Sequence, residues 1–197
     1  MARAAPYDRE ATLDAAMSLF WDKGYHATSL KDLEGALSMK PGSIYAAFKS
    51  KENLYLLAME RYFAASRSGF RSQIAQSPSP LAGLAAHLRA YASLPAGDEK
   101  RRACMLVKTF VDTRSTDAAI AGQSQSYLNE MRGEIAQVFE AAIEQGEIAS
   151  DSDAQELARR FQAYVTAIRI ELHQGTPADE VTNLADKLAS EIESLQQ

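Results

Sequence analysis

Between Leu33 and Lys51 the chain places three lysines, Lys40, Lys49 and Lys51, beside a single acid, Glu34. Interleaved with them are Gly42, Ser43 and Tyr45, residues that are small or carry a hydroxyl. Lysine ammonium groups meet phosphate oxygens as point charges, and hydroxyls hydrogen-bond to phosphates and base edges. Small side chains let a helix come close to a groove. The chemistry this pattern supports is non-covalent recognition of nucleic acid. The net charge of -5 does not oppose it. Residues 1–61 carry eight basic and eight acidic residues, and the remaining 13 basic and 18 acidic residues account for the whole imbalance. What matters for phosphates is the charge at the contact.

Covalent chemistry has less support. There is no phosphate-binding glycine loop, no G-x-S-x-G and no H-E-x-x-H. His26, His87 and His173 are scattered and do not form metal-site spacing with Cys104. No catalytic residue, metal ligand or cofactor is therefore expected, and Asp151 and Asp153 read as helix-capping acids. Within residues 80–197 the polar candidates are Lys108, His87, His173 and Arg169. Cys104 is the one thiol. If a helix runs over Arg101–Asp112, Lys108 stands one turn on and can stabilise a thiolate. A lone cysteine excludes an internal disulfide framework and fits a reducing compartment. No apolar run approaches 18 residues, and the N-terminal MARAAPYDRE has no hydrophobic leader region. A cytoplasmic protein without a membrane partner is expected.

The recognition residues need elements to hold them. Leu13, Ala16, Met17, Phe20 and Trp21 recur at helical spacing, which predicts a helix over Asp8–Lys23 stopped by Gly24. Thr28 or Ser29 caps a second helix, Leu30–Leu37, and Ser38-Met39 forms a turn. Pro41 suits the first position of a third helix, in which Ile44 and Phe48 face the core. Lys40, Gly42, Ser43, Tyr45 and Ala46 are left on its other face. Ser50 caps a long fourth helix, Glu52 to about Gln76, ended by Pro78 and Pro80. Further helices are predicted over about Pro80–Leu94, Arg101–Asp112, Asp117–Gln145, Ala154–Gln174 and Pro177–Leu195. The sixth is strongly apolar and is expected to lie buried in a second domain. No segment alternates with period two, so the fold is read as all-α with about nine helices.

The run S-x-K-D-L followed by G-S-I-Y-A-A-F-K-S-K-E-N-L resembles the DNA-binding domain of the TetR family of bacterial transcriptional regulators. The match covers about residues 8–60, with Ile44-Tyr45-Ala46-Ala47-Phe48 as recognition helix and Ser50-Lys51-Glu52-Asn53-Leu54 after it. Ser38 stands where many relatives have glycine, and Lys40-Pro41 where Ser-Lys is frequent. The resemblance implies a helix-turn-helix domain over 1–53 and a ligand-binding and dimerisation domain over 54–197. It implies that Ser29 and Lys31 meet the DNA backbone, that Lys40, Gly42, Ser43 and Tyr45 enter or flank the major groove, and that Lys51 pins a phosphate.

The second domain reads as a sensor for a small effector. Its candidate lining is Leu88, Tyr91, Cys104, Val107, Lys108, Phe110, Val111, Tyr127, Met131, Phe139, Phe161, Tyr164 and Ile168, whose aromatic and Met side chains suit an apolar or aromatic molecule. The apolar stripes of the last two helices, about residues 154–195, read as a homodimer interface, and the resemblance implies the same. A dimer also suits two half-sites of a palindromic operator. The expectation is a homodimeric repressor on double-stranded operator DNA, released by an apolar or electrophilic effector. The alternatives are a helical protein-interaction module without DNA binding and a redox sensor acting through Cys104.

Overall fold

The computed structural model describes residues 8–196, so part of the N-terminal stretch read for a leader, residues 1–7, lies outside the described residues. Among the described residues there are nine α-helices, one 3-10 turn and no strand. The helices are α1 (Arg9–Lys23), α2 (Leu30–Leu37), α3 (Pro41–Phe48), α4 (Lys51–Ala75), α5 (Pro80–Ala92), α6 (Met105–Thr113), α7 (Ala118–Glu144), α8 (Ala154–Gln174) and α9 (Ala178–Glu193). Their contacts form two units. The first is Met1–Ala64 with Met105–Gln125, and the second is Ala65–Cys104 with Ser126–Gln197.

The helix ends follow from local chemistry. Asp8 caps α1 by accepting from the backbone N–H of Glu10 and Ala11. Gly24 ends it at φ 80°, where its N–H reaches Phe20 O at 2.8 Å. A residue with a side chain is strained at that φ. Ser29 and Asp32 form a reciprocal capping box at the start of α2, each side chain bonding the other's backbone N–H. Asp153 caps α8, and Gly175 closes it in the left-handed conformation.

In the first unit, α1 packs on α2 and α2 on α3. Phe20, Leu33, Ile44, Phe48, Leu54 and Tyr55 are at most 1% exposed. Each such side chain contributes on the order of 2–3 kcal/mol of transfer free energy. Phe20 meets Tyr55 edge-on at 4.7 Å, and Trp21 meets Tyr62 at 4.9 Å. Arg61 on α4 forks onto Asp14 and Glu10 of α1, clamping the two helices.

The sixth helix departs from expectation twice. It starts at Met105 and not at Arg101, because Asp98 caps a separate 3-10 turn over Glu99–Arg101. It also belongs to the unit that holds α1–α3, where Met105, Leu106, Thr109 and Thr113 are buried. Its buried residues have partners there, as in the bond between Tyr55 and Thr109.

In the second unit α9 lies along α5, burying Val181, Ala185, Ala189 and Ile192 at helical spacing. Arg89 on α5 pairs with Asp186 and Glu193 of α9. Phe139 of α7 and Phe161 of α8 meet edge-on in the core. Much of the α9 stripe is thus covered inside the chain itself. Leu157, Tyr164, Val165, Leu184 and Leu188 remain only partly covered on α8 and α9.

Candidate nucleic-acid interface

Helix α3 is short and sharply divided. Ile44 and Phe48 are each 1% exposed, whereas Tyr45 between them is 44% exposed. Lys40 precedes the helix as its N-cap, and its carbonyl accepts from Ser43 N and Ile44 N. Lys40, Gly42, Ser43 and Ala46 are all exposed with Tyr45, so the anticipated face is open. A Cβ at Gly42 would meet nothing within 4 Å among the described residues. The protein's own packing does not require the small residue there.

The basic groups around this face differ in their engagement. Lys31, Lys40 and Lys49 are exposed and pair with no carboxylate among the described residues. Lys23 is held by Asp32 at 2.5 Å, and this bond with those from Ser29 holds the Asp32 carboxyl well below its usual range. Lys51 is half-buried, with its ammonium 4.7 Å from the centre of the Tyr25 ring. Desolvation lowers its pKa, opposed by the charge of Asp32. In this arrangement Lys51 rests on an aromatic face and does not project freely. Ser29 is exposed, and its hydroxyl serves the capping box with Asp32.

Two residues take positive φ without being glycine. Ser38 sits left-handed at φ 51° in the turn between α2 and α3. Lys49 takes φ 68° and ψ -53° after α3, and Ser50 N reaches back to Phe48 O at 2.8 Å. Such a three-residue turn is rare and strained for a residue with a side chain, of order 1–3 kcal/mol.

The family model described as "Bacterial regulatory proteins, tetR family" matches residues 13–58. That described as "Tetracyclin repressor-like, C-terminal domain" matches residues 80–192, more than half of the chain. The chain belongs to the TetR family. It is a DNA-binding transcriptional repressor of that family, which is one of regulators and not of enzymes. The HTH-type transcriptional repressor ComR of Escherichia coli (strain K12) is 28% identical over 185 residues, covering 93% of this chain and 88% of ComR. A cysteine mutant of the TetR family regulator CifR, complexed with 26-bp double-strand operator DNA, superposes with a TM-score of 0.87 at 25% identity, covering 96% of this chain and 98% of CifR. A TetR regulator of Chloroflexus aurantiacus J-10-FL has a TM-score of 0.82 at 25% identity and covers 95% of each chain.

In this TetR-family chain α6 and the turn after it are bonded to the reading head within one unit. Lys108 Nζ donates to Trp21 O at 2.9 Å and to Asp22 O at 3.2 Å, at the C-terminal end of α1. There its charge meets the negative end of the helix dipole. Tyr55 and Thr109 share a buried hydrogen bond of 2.7 Å. His26 and Thr116 meet at 2.8 Å on the surface. These partners stand 54 to 90 residues apart, so no local pattern announces them.

The expected effector residues divide between the two units. Val107, Lys108, Phe110 and Val111 lie in the first, and Val111 is 69% exposed. Leu88, Tyr91, Cys104, Tyr127, Met131, Phe139, Phe161, Tyr164 and Ile168 lie in the second. Of these, Leu88, Phe139, Phe161 and Ile168 are fully buried core, while Tyr91, Cys104, Tyr127, Met131 and Tyr164 keep some accessible surface. Tyr164 donates its hydroxyl to Glu191 at 2.6 Å. Cys104, which is in no disulfide, is placed just before α6, and Lys108, expected beside it, gives its ammonium to the α1 carbonyls.

A polar cluster sits within the aromatic part of the second unit. His87 lies edge-on to Phe70 at 5.1 Å and to Tyr91 at 5.3 Å. Its Nδ1 meets Gln73 Oε1 at 2.7 Å, which assigns the proton to Nδ1 because the amide oxygen only accepts. Burial, with the charge of Arg169, pulls the imidazole down to about 4. Arg169 is 7% exposed, donates twice to Arg102 O, and has its guanidinium 5.7 Å from the Tyr91 ring centre. Separately, an open apolar recess of about 350 Å³ lies among Phe70, Ile74, Pro80 and Val138, with the Arg71–Glu134 ion pair also lining it. None of the expected effector residues borders this recess.

None of the described helices is long and apolar enough to cross a membrane. No group of three or more His, Cys, Asp or Glu side chains among the described residues could hold a metal ion.

Proposed function

We propose that this TetR-family repressor reads a palindromic operator in the cytoplasm as a homodimer, one α3 per half-site, and is released by a small apolar or electrophilic effector. The observation that carries the reading is the two-sided α3. Its buried Ile44 and Phe48 hold the helix against the core, so Tyr45, Ser43 and Gly42 can project without cost to packing. Lys31 and Lys40, which pair with no carboxylate among the described residues, supply charge around that face for phosphates. The operator complex of CifR supports the same use of the domain. The remaining apolar faces of α8 and α9, Leu157, Val165, Leu184 and Leu188, would meet their copies across a two-fold axis.

Release follows from differential binding. An effector lowers operator affinity only as far as it prefers the protein conformation that fits DNA poorly. In this reading its site lies in the second unit, near Tyr91, Cys104, Tyr127 and Met131. Helices α4 and α7 contribute residues to both units and carry the change, and α6 delivers it to the head through Lys108 and Tyr55. Titrating apolar small molecules and electrophiles into the protein bound to DNA from upstream of its own gene tests this. Weakened binding supports the reading. A panel that never weakens binding rejects effector release and leaves DNA binding intact. Cys104→Ser separates the two effector classes, because loss of the response to electrophiles alone places the reaction at the thiol.

A further inference from the structure

We propose that Lys49 is a DNA-phosphate contact of this repressor, one beyond the contacts that the family resemblance implies. The inference rests on the DNA-binding reading above. Its warrant is a conformation that the protein's own contacts do not explain.

The backbone turns at Lys49 with φ 68°. The turn is held by its neighbours. Phe48 O accepts from Ser50 N at 2.8 Å and from Asn53 Nδ2 at 3.0 Å, and Lys49 N donates to Tyr45 O at 2.8 Å. Ser50 then caps α4 by accepting from Asn53 N. All of these bonds use the Lys49 backbone or other residues, and glycine would satisfy every one without strain. The Lys49 side chain is exposed and makes no hydrogen bond or ion pair among the described residues. A strained lysine whose ammonium does nothing inside the protein points to a partner outside it. Position supports the same partner, because Lys49 directly follows α3, the helix that exposes Tyr45. Lys51, two residues on, has its ammonium over Tyr25. Lys49 is therefore the unengaged cation between α3 and α4. An anionic oxygen of the DNA backbone is the partner this geometry fits.

The test compares wild type, Lys49→Gly and Lys49→Arg. Affinity for duplex DNA from upstream of the protein's own gene, and for a scrambled duplex of equal length, is measured over a range of salt concentrations. Thermal unfolding is measured on the same samples. Losing one phosphate contact lowers the slope of log K against log salt by about 0.9 per protomer, and affinity roughly fivefold per protomer at 0.15 M salt. Lys49→Gly should show that loss equally on both duplexes, with Tm raised by about 2–4 °C as strain is relieved. Lys49→Arg should keep the slope. Lys49→Gly with an unchanged slope overturns the assignment while leaving the DNA-binding reading in place. Wild type that binds neither duplex overturns both.

Discussion

Tyr55 donates its buried hydroxyl to Thr109 Oγ1 at 2.7 Å, joining α4 to α6 across 54 residues of sequence. The direction is set because Thr109 spends its own proton on Met105 O at 2.7 Å. The pair ties the helix that follows the reading head to the helix proposed to deliver the effector signal.

Tyr55→Phe removes this bond and leaves Thr109 still donating, so a loss of about 1 kcal/mol in unfolding free energy is expected. Alkaline titration gives a second readout. Burial, and then the charge of Asp112, push the phenol from 10.0 up to about 12. The folded value lies above the unfolded one, so the native state holds the proton longer. Stability from this group is whole below pH 10 and is lost as pH rises toward 12, by at most about 1.4 kcal/mol per pH unit. Urea midpoints across that window should flatten in Tyr55→Phe.

Lys108→Met should cost roughly 1 kcal/mol by leaving the Trp21 and Asp22 carbonyls without their shared cation. It should also reduce the effector's effect on DNA affinity and leave the reactivity of Cys104 toward a thiol reagent unchanged. Slower thiol reaction in Lys108→Met would restore the pairing expected from sequence.

That pairing shows where sequence reading stopped. The bounds of α2 and α8 were legible because Ser29 with Asp32, and Asp153 with Gly175, act through residues a turn or less away. The open face of α3 was legible for the same reason, since Ile44 and Phe48 at four-residue spacing dictate which side is buried. The surroundings of α6 were not. Its apolar run has no cap signal of its own, and Tyr55, Trp21 and His26, which meet α6 and the turn after it, come from distant segments. The engagement of Lys51 by Tyr25 was hidden too, since proximity of a ring 26 residues upstream leaves no local trace. Which residues of the α9 stripe are buried within the chain was not legible either, and Val181 and Ile192 are among them.

His87 makes the second unit sensitive to acid. Its folded value of about 4 lies below the unfolded 6.5, so its contribution is present above pH 6.5 and lost as pH falls toward 4. The slope is at most about 1.4 kcal/mol per pH unit. His87→Gln can still bond Gln73 and does not titrate, so its unfolding midpoint should vary less between pH 6.5 and 4 than that of wild type.

Ile44→Ala and Phe48→Ala should unfold the head, at a cost of about 2–5 kcal/mol each, because both side chains are wholly buried. Tyr45→Ala should change stability by no more than about 0.5 kcal/mol, since the ring is 44% exposed. A Tyr45→Ala protein that unfolds like Phe48→Ala would mean that the tyrosine is a packing residue.

The most direct measurement is a footprint on the DNA upstream of the protein's own gene, repeated with Tyr45→Ala and at rising salt. Recognition through α3 predicts a protected palindrome with half-sites about one helical turn apart, lost as salt rises. It also predicts that folded Tyr45→Ala loses roughly 10-fold or more in affinity for that site. A folded wild-type protein that protects no site at low salt, or a Tyr45→Ala variant that protects the same site with undiminished affinity, would contradict it.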